Sequence, residues 1–237
     1  MEFRYNPELD PANLAAEFKK HGRISIKNIW PDEIAEQLHN WLANAVDWRF
    51  VYNDGDEVVQ LSDDDLKRMT IRRQVELTKR INDQAKKRFT YCYHTYPILE
   101  TYLEGVQKDN LLHQMFEFMN SPAALEFIRS VTGIPEILKG DAQATRYKGG
   151  QFLTYHDDLP NQEPRRVAYV FNLTKGWNPD WGGYLNFYDD DGNIEFGLKP
   201  SFNALNMFAV PKQHSVSMLA PFTGAFRYAI TGWFLDE

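Results

Sequence analysis

The sequence predicts an α+β chain whose core is mainly β, a barrel or jelly roll of short strands carried on helices from the N-terminal half. Three observations predict it. From about Ile137 the chain breaks into eight short runs of strand character. Turn-forming clusters GG, NPDWGG, DDDGN and KPS separate those runs. Between Asp10 and about Gly133 the apolar residues instead recur at helical spacing.

The elements follow in order. PANLAAEFKKHG and DEIAEQLHNWLANAV read as helices, with the strand RISIKNI (23–29) between them. WRFVYNDGDEVVQLS (48–62) carries a DG turn at 54–55 and reads as a hairpin. The charged stretch 62–88 reads as one solvent-facing helix, and FTYCYHTY (89–96) as a strand. SPAALEFIRSVTG has Ser121 placed as an N-cap and Gly133 as a stop. The eight strands are then ATRY, QFLTYH, RRVAYVFNL, GYLNFYD, NIEFGLK, NALNMFAV, HSVSML and FRYAITGWFL. Asp189, Asp190 and Asp191 before Gly192 and Asn193 lack the full ligand series and closing Glu of a calcium loop, so they read as a hairpin turn. Without repeats or a linker, residues 1–237 are expected to form a single domain, with 1–136 as helical support and lid region and 137–237 as the β core.

With 43% hydrophobic and 14% aromatic residues, 237 positions suffice for a packed core. A net charge of −7 argues against nucleic acid as the main partner, since phosphate binders show a basic excess. Cys92 is the sole cysteine, which excludes an internal disulfide and a cysteine-rich zinc site and fits a reducing compartment. MEFRYNPELD has no apolar signal core, and no run approaches the roughly 18 apolar residues of a membrane span. A soluble cytoplasmic protein without a membrane partner is expected.

FLTYHDDLP (152–160) places two carboxylates beside an imidazole within strand-like sequence, which calls for open solvent or a counter-charge such as a metal. Residues i and i+2 of a strand share a face, so parity pairs Asp158 with His156 and turns Asp157 away, provided the strand runs on past His156. A facial triad for non-haem iron needs a second histidine, and His214 is the only one downstream. Singly, a His-x-Asp triplet is commonly a surface or capping feature, and one histidine a hydrogen-bonded structural residue. Arg227, thirteen residues after His214, strengthens the set. In so apolar a strand its guanidinium needs an anion, and its fork fits a carboxylate, either an internal Asp or a dicarboxylate such as 2-oxoglutarate. Thr231 and Trp233 share its face by parity.

The run Tyr147-x-x-Gly150, His156-x-Asp158, Gly182-Gly183-x-Leu185, His214 and Arg227-Tyr-Ala-Ile-Thr231-Gly-Trp233 resembles the catalytic domain of the 2-oxoglutarate and iron(II)-dependent prolyl hydroxylases. FRYAITGWF is similar to the closing strand of the oxygen-sensing enzymes, while FLTYHDD, RRVAYVFNL and GGYLNFY are closer to the ribosomal-protein prolyl hydroxylases. The resemblance covers about residues 137–237. It implies a double-stranded β-helix, the cupin-like jelly roll. It implies Fe(II) on His156, Asp158 and His214, and the distal carboxylate of 2-oxoglutarate on Arg227. Tyr147, Thr231 and Trp233 would line the cosubstrate pocket. Where relatives commonly have Tyr-Leu in the second core strand, this chain has Asn172-Leu173, and Asn172 would bond the cosubstrate with shorter reach. O₂ would be the second cosubstrate and ascorbate a reductant.

The reaction so implied hydroxylates a C–H bond, with a prolyl residue of a protein or peptide as the leading target. A free amino acid, a small metabolite or another protein side chain is the nearest alternative; outside enzymes, the alternative is a metal-binding β-helix sensor or scaffold, which has no use for Arg227. A zinc hydrolase would leave Arg227 idle and HExxH is absent, and no Gly-x-Ser-x-Gly elbow marks a serine hydrolase. Two segments are candidate gates for substrate: the 48–62 hairpin as a lid, and LPNQEPRR (159–166) after Asp158.

Overall fold

The computed structural model describes residues 2–106, 110–159 and 164–237. Helix α1 (Pro11–His21) starts where Asp10 accepts a bond from Ala12 N–H and ends at Gly22, whose φ of 62° lets the chain turn left-handed. Strand β1 (Arg23–Lys27) and helix α2 (Asp32–Asn44) follow. The expected hairpin is present as β2 (Arg49–Asp54) and β3 (Glu57–Ser62), joined through the DG turn.

The charged segment after it is not one helix. Ser62 and Asp65 form a reciprocal capping box on α3 (Asp63–Arg68). The chain then turns extended at Met69, and Thr70 caps α4 (Ile71–Ala85) afresh. Nor does α4 merely face solvent, because Leu77, Ile81 and Ala85 pack on Tyr52, Cys92 and Phe152. Beyond β4 (Tyr91–Tyr96), α5 (Ile98–Leu103) and α6 (Leu111–Met119) are additional helices. Asn110 caps α6, and Leu112, Met115, Phe116 and Met119 give it a buried stripe. Helix α7 (Pro122–Thr132) runs from the Ser121 cap to left-handed Gly133, as its sequence predicts.

The eight C-terminal strands all form: β6 (Gln143–Tyr147), β7 (Phe152–His156), β8 (Arg165–Leu173), β9 (Leu185–Tyr188), β10 (Ile194–Leu198), β11 (Phe202–Ala209), β12 (His214–Val216) and β13 (Arg227–Leu235), with the two-residue β5 (Lys139–Gly140) ahead of them. One antiparallel sheet curls through the order β1-β11-β8-β13-β6-β4-β7-β12-β9-β10. Pairing of β4 with β7 joins a large layer to a small one. Between the layers Ala168, Val170 and Ala229 pack with Leu185, Phe187 and Phe208. On the opposite face of the large layer Phe171, Leu205, Ile230 and Phe234 form the main core with helices α1, α2, α6 and α7. This is the jelly roll with supporting helices that the sequence predicts. Each strand of the large layer therefore shows alternate residues to a helix-covered face and to the interior of the roll.

Candidate active site

His156 ends β7 and His214 begins β12; the two residues are directly paired across the ladder, which brings their rings to 4.0 Å between centroids. The Nδ1–H of His156 donates to the Thr154 carbonyl at 2.9 Å, and that of His214 to the Lys212 carbonyl at 2.7 Å. A carbonyl only accepts, so both protons sit on Nδ1 and both Nε2 lone pairs are free. Those Nε2 atoms face the two oxygens of Asp158, at 3.3 and 3.5 Å.

Asp158 arrives there by a route other than strand parity. The strand stops at His156, and Asp158 lies in a left-handed turn with φ of 58°, a conformation that Asp tolerates better than most residues. Asp157 is held locally instead: its carboxylate accepts from Leu159 N–H at 3.0 Å and from Gln213 Nε2 at 3.4 Å. The indole N–H of Trp233 donates to Asp158 Oδ2 at 3.1 Å, and the Arg165 guanidinium caps that indole at 3.7 Å.

The electrostatics ask for a cation. Burial would raise the Asp158 carboxyl, but the imidazoles and the Trp233 indole outweigh it and hold it below the usual carboxylate range. Burial, reinforced by His156, pulls His214 down to about 4. At neutral pH His214 is thus uncharged, and its contact with Asp158 is a lone pair facing a carboxylate instead of an ion pair. Three such donors, with ligand atoms within 4.8 Å of one another, suit a divalent first-row metal held on one face.

These residues line a cavity of ≈ 500 Å³ inside the roll. At its floor Arg227 is 2% exposed, its Nε has no hydrogen-bond partner, and no carboxylate among the described residues pairs with it. The Tyr147 ring lies beside it, 5.2 Å from the guanidinium carbon. A buried cation so placed is costly until an anion joins it, so the floor fits a carboxylate. Gly183 makes room for the arm, because a Cβ there would lie 3.3 Å from Arg227 Cδ.

Tyr147 and Thr231 line the cavity. Trp233 lines it too, but at the Asp158 end. It lies six positions along β13 from Arg227, roughly 20 Å of extended strand, and its contact is with Asp158. Asn172 is on the interior face yet does not line the cavity; it is 1% exposed, and its Nδ2 donates to Val170 O at 3.3 Å while Oδ1 has no partner. Sequence reasoning missed the aromatic wall. Tyr91 and Tyr93 line the cavity, Tyr93 stacks on Tyr147 with centroids 5.0 Å apart, and Phe89 lies 5.1 Å from His156. The alternation in YCYHTY carried that signal. Of the 159–166 segment, residues 160–163 lie outside the described residues.

Comparison with known proteins agrees with this geometry. Residues 142–235 match the sequence model of the 2OG-Fe(II) oxygenase superfamily. Prolyl 3-hydroxylase OGFOD1 of Mus musculus is 34% identical over 116 residues, which are 46% of this chain and 21% of that protein. The chain thus spans about a fifth of the length of that relative. Among solved structures, a prolyl-4-hydroxylase of Pseudomonas putida is similar with a TM-score of 0.61 at 16% identity, over 96% of this chain and 100% of that one. A prolyl hydroxylase of Trichoplax adhaerens, solved with a hypoxia inducible factor peptide fragment, gives 0.60 at 19% identity over 95% and 89%. These two likenesses concern the fold. His156, Asp158, His214 and Arg227 all fall within the stretch that matches the 2OG-Fe(II) oxygenase superfamily.

Proposed function

We propose that the protein is an Fe(II)- and 2-oxoglutarate-dependent dioxygenase that hydroxylates a prolyl residue of a protein substrate. The observation that carries this reading is the unpaired guanidinium of Arg227 at the floor of the cavity that also holds His156, Asp158 and His214. A metal site alone would serve many chemistries; a buried carboxylate receptor in the same chamber selects a dicarboxylate cosubstrate.

In this reading His156, Asp158 and His214 hold Fe(II), which with O₂ and 2-oxoglutarate supplies oxidative decarboxylation to succinate and CO₂ coupled to insertion of oxygen into a C–H bond. Arg227 takes the distal carboxylate, and the Tyr147 hydroxyl, kept protonated by burial, stays available as a donor beside it. Trp233 fixes the orientation of Asp158, and the tyrosine wall excludes water from the reacting end.

The prolyl target is supported by the names of the relatives and by an entrance that suits a chain segment. A smaller cavity of ≈ 230 Å³ adjoins the first, sharing Tyr91, Tyr93, Gln143, Thr231 and Trp233 with it, and Val51, Val58 and Gln60 of the β2–β3 hairpin form its outer side. In this reading the hairpin covers a bound peptide, which its place on the outer side of that cavity supports. The test is mass spectrometry of cell-extract proteins incubated with the enzyme, Fe(II), 2-oxoglutarate, ascorbate and O₂. Gain of one oxygen on proline is the expected result, and oxidation confined to small metabolites would overturn the prolyl assignment.

A further inference from the structure

A second cavity of ≈ 500 Å³ lies on the other side of β4 and β6, under α3 and α4. Alternate residues of these strands divide between the two chambers. Tyr93, Thr145 and Tyr147 face the metal side, while Cys92, His94 and Arg146 face the second. Across the β6–β13 ladder Arg227 pairs with Tyr147 and Tyr228 with Arg146, so the two arginines stand on neighbouring rungs with their side chains on opposite faces.

The walls of this second chamber are of two kinds. Phe50, Leu66, Leu77, Ile81 and Phe226 make an apolar interior, and Arg146, Lys148 and Lys67 supply cations against the single carboxylate of Asp63. Lys67 is engaged by Asp64 at 3.4 Å. Arg146 and Lys148 form no ion pair among the described residues. The Arg146 guanidinium is clasped between the rings of Trp48 and Phe226, at 5.0 and 5.1 Å, which fixes its plane and leaves its buried Nε without a hydrogen-bond partner. The same positive field shows on His94, which burial first, then Arg146 and Lys148, pull down to about 4. His94 thus adds no charge at neutral pH and spends Nδ1 on Gln151 at 3.3 Å.

We propose that this chamber is a second ligand site, for a monocarboxylate with an apolar body, its carboxylate on Arg146 and Lys148 and its body against Leu77, Ile81 and Phe226. An unpaired guanidinium held rigid at the edge of an apolar cavity presents a fork for a carboxylate and a surface for the group attached to it. A small dicarboxylate would leave one charge among the leucines, so the site differs in kind from the Arg227 floor.

The probe is 1-naphthoate, titrated by calorimetry into protein saturated with Mn(II) and 2-oxoglutarate so that the metal chamber is filled. Binding of naphthoate and at least tenfold weaker binding of the neutral 1-naphthalenemethanol are expected, as is at least about tenfold loss in Arg146→Met with Mn(II) affinity unchanged. Leu77→Trp, which fills the chamber from α4, provides the second variant should Arg146→Met not fold; it is expected to abolish naphthoate binding and retain Mn(II). Equal affinity of the alcohol, undiminished binding in either folded variant, or no binding to the saturated wild type would overturn the proposal.

Discussion

Replacing Arg227 by methionine is expected to move two properties in opposite directions. The side chain is 2% exposed, no carboxylate among the described residues pairs with it, and its Nε is an orphaned buried donor. An unsatisfied buried polar group costs about 1–3 kcal/mol, more when charged, and methionine fills a similar volume without that cost. The ligand-free variant should therefore be more stable than the wild type by about 1–3 kcal/mol. At about 2–4 °C per kcal/mol for a chain of this size, the melting temperature should rise by several degrees. Loss of a buried charge-assisted carboxylate contact costs about 2–5 kcal/mol, so 2-oxoglutarate affinity should fall by about 30-fold to several thousand-fold. Differential scanning calorimetry of the metal-free protein and titration of 2-oxoglutarate into the Mn(II) form read the two effects separately. An arginine with a purely structural role predicts the reverse pattern: a lower melting temperature and unaltered 2-oxoglutarate affinity. Either result refutes the assignment of Arg227 as a carboxylate receptor.

Asp158→Asn keeps a residue that accepts the left-handed turn and removes only the charge, so Mn(II) affinity should fall by at least about 100-fold, whereas Asp157→Asn should stay within about threefold in the same titration. Trp233→Phe deletes the 3.1 Å bond to Asp158 and should weaken Mn(II) binding about 10- to 100-fold while leaving the fold intact by circular dichroism; unchanged metal affinity would show that the indole does not orient the ligand. Gly182→Ala puts a Cβ 2.3 Å from the Met218 carbonyl at a φ of 71° and ψ of −147°, a backbone region open essentially to glycine alone. It should cost at least about 2 kcal/mol in denaturant unfolding, and a loss under 1 kcal/mol would mean that the 182–183 turn moves freely.

The contrast between Asp158 and Trp233 shows what kind of information a sequence carries. Short runs between turn signals marked eight strands of the β core, and period-two alternation sorted Arg227, Thr231 and Trp233 onto one face, because side-chain direction within a strand is a local property. The metal set was legible for the same reason, since His156 and His214 each sit at a strand end and only their ladder pairing was missing. Locality also set the errors. Ser62 and Thr70 both carry the chemistry of helix caps, yet the charged run 62–88 read as one helix because its composition never changes. Parity paired Asp158 with His156 on a strand that in fact stops two residues earlier, and it is the left-handed turn that brings the carboxylate to the two imidazoles. Which residue answers which across the roll is set by the closure of the sheet, and no spacing encodes it. Trp233 therefore looked like a neighbour of Arg227 from its place in the same strand, although β13 is long enough to reach from one functional group to the other. Arg227 at its start and Trp233, bonded to Asp158, near its end are held on one continuous strand, whose rungs against β6 and β8 tie their separation to the sheet itself. A change that shifts β13 by one register would move both groups together and turn them out of the cavity, so stability of that ladder and competence of the site should be lost in a single step.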